Sequence, residues 1–218
     1  TCSWRWVAGL HTAGRTYLAR PANIEEYTQG RFKPEGQLAS TAVALEEADL
    51  GPRVQPTFDV SDLAGQRIGL LLTPEDCAAD RLDPLPTPAG LFAWTEPVKR
   101  SVRPTAPAVD AFATQAVESA VTVSEARFGL SCVRAEADEP TAEALARWAQ
   151  DLALDCIVTP RLPLGPTRKA VHAACSSQGL TLVEVTRPYD QAVWPHARAG
   201  FFGLKKKIPA ILASLSLA

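Results

Sequence analysis

The chain is expected to fold as an α/β protein, a doubly wound parallel sheet of about five strands preceded by a short, mostly helical segment. Three observations carry that expectation. Short apolar runs alternate with helix-period patterns from Arg67 onward, as strand–helix–strand units require. The runs are apolar on both faces, which suits strands of a parallel sheet covered on each side. Helix-period patterns, the longest Ala106 to Phe128, fall between consecutive runs.

Each element follows in order. Ser40 to Leu50 reads as a short helix with Ser40 as its N-cap. Gly51-Pro52-Arg53-Val54-Gln55-Pro56 denies itself a regular ladder and reads as a linker. The expected organisation is therefore a first segment over 1–50, a linker over 51–66 and an α/β domain over 67–218. Ile68 to Thr73 is the first buried strand. A proline-rich stretch (Pro84, Pro86, Pro88) leads to a second at Gly90 to Thr95. Ala106 to Phe128 is the longest helix, with Val109, Phe112, Ala116, Val117, Ala120 and Val123 recurring on one stripe. Leu130 to Arg134 is the third strand. Thr141 is placed as the cap of a helix whose stripe is Leu145, Trp148 and Leu152. Asp155 to Pro160 is the fourth strand. Pro166 opens the next helix, where its missing N–H costs least, and Gly179 closes it. Leu180 to Val185 is the fifth strand. A last helical segment is expected from near Pro195, interrupted at Pro209 and ending at Leu217.

Composition narrows the function classes. With 218 residues, 46% hydrophobic and 21% charged, the chain is ordinary for a globular protein. A net charge of −2 leaves any nucleic-acid contact to a local patch. No apolar run is long enough to cross a membrane, so no membrane partner is expected. Five cysteines without CxxC spacing favour buried thiols in a reducing cytoplasm over a disulfide framework or zinc site. His11, His172 and His196 form no metal-ligand pairing, and no metal is expected. With no methionine in the sequence, Thr1 is expected to lie within a longer polypeptide.

Two loops follow strand ends, where open parallel sheets bind ligands. Thr73-Pro74-Glu75-Asp76 is one. The other is Thr159 to Lys169, which gathers Arg161, Arg168 and Lys169 around a helix N-terminus suited to an anion. Neither carries G-x-G-x-x-G or G-x-x-x-x-G-K-[ST], which favours plain connecting loops. Glu75 and Asp76 read as solvated loop or helix-start residues, and Lys205 to Lys207 as a solvated basic run. No serine or cysteine has the setting of a hydrolase nucleophile.

The opening stretch is the chemically distinctive one. Trp4 and Trp6 stand one residue apart, so their indoles face different ways and one ring is free to pack on a cofactor while the other lines a cleft. Arg5, Arg15, Arg20, Arg31 and Lys33 outnumber Glu25 and Glu26, a locally basic segment fit for phosphate. The plain alternative is two rim or core tryptophans beside a solvated basic face.

The residue order, Trp4-Arg5-Trp6-Val7-Ala8-Gly9, then His11 to Arg20 and Asn23 to Phe32, resembles the end of the FAD-binding helical domain of the DNA photolyase and cryptochrome family. Arg67 to Asp76, Trp194 to Phe202 and Lys205 to Pro209 resemble segments of bacterial photolyase-like flavoproteins. Cys2-Ser3 departs from the Gly-Gly of well-known members. The resemblance implies FAD as cofactor, its pocket mostly outside this chain, and DNA with UV lesions as partner. It implies light-driven repair of pyrimidine dimers, a lyase reaction. Trp4 would relay electrons beside the flavin, with His11 nearby. Trp6 would offer a stacking wall to the lesion, and Arg5 and Arg15 would meet phosphate. The alternatives are a cryptochrome-like blue-light sensor that repairs nothing, and an α/β nucleotide-binding or interaction module.

Overall fold

The computed structural model describes residues 18–41, 45, 60–82, 84–95, 104–136, 138–197 and 200–216. The chain divides into two compact units, Pro56–Arg187 and a second formed by Thr1–Gln55 together with Pro188–Ala218. The expected helix over Ser40 to Leu50 lies outside the described residues, Ser40, Thr41 and Leu45 apart, as does the linker up to residue 59; its last part, 60–66, begins with a 3-10 turn.

In chain order, helix α1 (Pro21–Tyr27) belongs to the second unit. The α/β unit then begins with a short 3-10 turn (Val60–Leu63) and strand β1 (Ile68–Leu72), followed by a second 3-10 turn (Ala79–Arg81) and β2 (Gly90–Ala93). It continues with α2 (Pro107–Phe128), β3 (Cys132–Val133), α3 (Thr141–Asp151), β4 (Cys156–Pro160), α4 (Pro166–Ser177) and β5 (Leu182–Val185). The last helices, α5 (Pro188–Val193), α6 (Gly200–Lys205) and α7 (Ile208–Ser214), return to the second unit.

All five strands are parallel, in the order β3-β2-β1-β4-β5. The doubly wound parallel sheet expected from the sequence is present. Its centre, β1, is buried at every position, as are β2 and β4. Alternate residues feed two cores. Ile68, Leu70, Leu72, Leu91 and Val158 pack with Val117 and Val121 of α2. Leu71, Phe92 and Ile157 pack with Leu145 and Trp148 of α3 and Val171 of α4. This strict alternation is the period-two geometry of a strand covered on both faces.

Trp148 sets how closely α3 approaches the sheet. A Cβ added at Gly69 would collide with Trp148 and Leu154, and one at Gly90 would collide with Leu152 and stand 3.1 Å from Trp148 Nε1. The indole therefore lies against the two positions of β1 and β2 that have no side chain. Phe92 holds it from one side, ring centroids 5.4 Å apart and tilted 50°.

Several expectations shift. The stripe assigned to α2 is rotated: Val117 and Ala120 are buried, but with Val121 and Ser124, while Val109, Phe112 and Val123 are exposed. The first turns of the helix are exposed on every face, residues 107–112 among them. Thr141 is the first helical residue, not the cap; Pro140 takes that place without a side-chain bond. Gly179 does sit at a left-handed φ of 66°, one residue after the cap. The last helical segment is interrupted close to where expected, at Lys206 and Lys207, just ahead of Pro209, which fits the first turn of α7. Glycine at positive φ also closes α2, at Gly129.

Candidate functional site

The strand order reverses between β1 and β4. Connections leave these two strands toward opposite faces, which opens a crevice beyond their carboxyl ends. The two loops singled out in the sequence both belong to this edge, and the structure ties them together. Thr167, in the first turn of α4, donates from Oγ1 to Glu75 Oε1 at 2.7 Å. Asp76 accepts from Arg187 twice, Nη1 to Oδ2 at 2.5 Å and Nη2 to Oδ1 at 2.8 Å, and Arg187 Nη2 also bonds Ala78 O at 2.7 Å. Both carboxylates lie in the half-buried loop and, beyond the solvated loop or helix-start role expected, have partners: one meets the start of α4, the other a two-pronged guanidinium.

The basic cluster around the start of α4 also resolves differently from a free anion cradle. Arg168 donates Nε to Glu184 Oε1 at 2.9 Å and Nη2 to Oε2 at 2.7 Å. The same carboxylate accepts from Leu162 N at 3.3 Å and lies 3.4 Å from His172 Nε2. Burial works to raise the Glu184 pKa; the hydrogen bonds and charge of Arg168, with His172 and the Leu162 amide, outweigh it and hold the carboxyl below its ordinary range. Glu75 supplies negative charge at the N-terminus of α4 from within the chain, the sign that a helix start favours. An external anion would have to compete with it.

Two polar atoms at this edge lack hydrogen bonds. Thr73 and Trp94 are the first residues beyond β1 and β2, and the strand register sets them side by side. They lie on the face covered by α3 and α4, two positions on from Leu71 and Phe92. Thr73 is 1% exposed and Trp94 2% exposed, yet Thr73 Oγ1 and Trp94 Nε1 have no hydrogen-bond partner among the described residues. On β4 the corresponding hydroxyl is satisfied, Thr159 Oγ1 donating to Leu71 O at 3.2 Å. A buried unpaired donor costs about 1–3 kcal/mol. Sequence reasoning found the loops and missed this pair. The one available signal was a polar residue ending an otherwise apolar run.

The residues to which the resemblance assigns photochemistry, Trp4, Arg5, Trp6, His11 and Arg15, lie outside the described residues. The thiols fall partly as expected. Cys156 and Cys175 are buried, but Cys77 is exposed. Burial pushes the Cys175 thiol up to about 11, and burial, partly offset by Arg134, pushes Cys132 up to about 12. No group of His, Cys, Asp and Glu suited to a metal ion occurs among the described residues. No helix among them is long and apolar enough to cross a membrane.

Fold and strand order define an α/β protein with a doubly wound parallel sheet. Comparison of the chain with family models, curated proteins and solved structures returns no match.

Proposed function

We propose that this chain is part of a photolyase-like flavoprotein that repairs pyrimidine dimers in DNA by light-driven electron transfer. The observation that carries the reading is the ordered run Trp4-Arg5-Trp6-Val7-Ala8 with its basic surroundings. FAD, when bound, supplies the photoexcited redox centre. Trp4 relays an electron toward it, and His11 lies close in sequence. Trp6 stacks on the damaged bases, which must leave the helix to be reached. Arg5 and Arg15 neutralise phosphate, so affinity falls as salt rises. The setting is cytoplasmic.

The test is Trp4→Phe in the gene product that carries this chain. Flavin photoreduction should slow at least tenfold, while the flavin content stays the same. An unchanged rate removes Trp4 from the pathway. If illumination reduces the flavin yet dimers in DNA persist, the protein is a blue-light sensor and not a repair enzyme.

A second reading, an α/β nucleotide-binding module, is favoured by the unpaired Thr73 hydroxyl and Trp94 indole N–H at the crevice. Titration with ATP and NAD, followed by Trp94 fluorescence, tests it. Saturable quenching that Thr73→Val weakens supports the module; no change with either nucleotide rejects it.

A further inference from the structure

We draw no further inference here: the strongest candidate, the exposed apolar flank of α2 that carries Val109, Phe112 and Val123, is a helix face for which nothing among the described residues shows what covers it.

Discussion

Gly69→Ala probes how closely α3 is drawn onto the sheet. Alanine in place of glycine in a strand ordinarily helps, by about 0.5–1 kcal/mol, because the unfolded chain loses freedom. At Gly69 the added methyl meets Leu154 Cδ1, the far end of a flexible side chain, and Trp148 Cη2, the edge of a ring. The leucine can turn away; the indole cannot, since Phe92 backs it and the buried residues of α3 surround it. Overpacking of this kind costs about 1–3 kcal/mol. The steric cost exceeds the backbone gain, and a net loss of about 1–2 kcal/mol is expected. Urea unfolding followed by Trp fluorescence would show a lower midpoint with unchanged slope. Trp148→Leu removes the obstacle at its own cost of a few kcal/mol. In the double variant Gly69→Ala should then be neutral or favourable, a coupling of at least 1 kcal/mol. A Gly69→Ala effect within 0.5 kcal/mol of zero (roughly the limit of such measurements), or additivity in the cycle, would refute the packing described.

Other outcomes follow from the same geometry. The Glu184 carboxyl is held low in the folded protein, so its contribution is full above the ordinary carboxylate pKa of about 4.3 and is lost as pH falls through the folded value; Glu184→Gln should flatten the acid limb of a stability–pH profile. Asp76→Asn removes the charge that Arg187 grips with two bonds and should cost about 1–3 kcal/mol, read by chemical denaturation. Thr73→Val replaces a hydroxyl without a partner by an isosteric methyl and should leave stability unchanged or raise it; a loss above about 1 kcal/mol would mean the hydroxyl is bonded in solution. Cys175, with its thiol pushed up to about 11, should resist a thiol reagent at pH 8 until the protein unfolds, as rapid stopped-flow labelling can show.

The sheet was legible because its central strands β1, β2 and β4 are buried on both faces and read as uninterrupted apolar runs. Ile68 to Leu72 and Cys156 to Pro160 announce themselves in this way. Strand order is not written locally. Nothing in Gly90 to Ala93 says that it pairs with β1, because parallel partners are joined through long crossovers. The face of α2 was misjudged for a related reason: alanines and valines occur all round it, so periodicity alone does not say which stripe meets the sheet. At the crevice, position was predictable from Thr73 to Asp76 and Thr159 to Lys169 following strand ends. The pairing of charges was not. That Arg168 reaches Glu184 and Arg187 reaches Asp76 depends on distances between elements that only the folded chain fixes. Helix α5 escaped notice although Pro188 at its start is a favourable first-turn residue.

The most direct measurement illuminates the purified gene product with an oligonucleotide containing a pyrimidine dimer, following the flavin spectrum and the dimer together. A yellow protein whose dimer signal falls only in the light, more slowly once Trp6 is replaced by alanine, is the predicted result. A colourless protein, or dimers that survive illumination beside a photoreducible flavin, would contradict it.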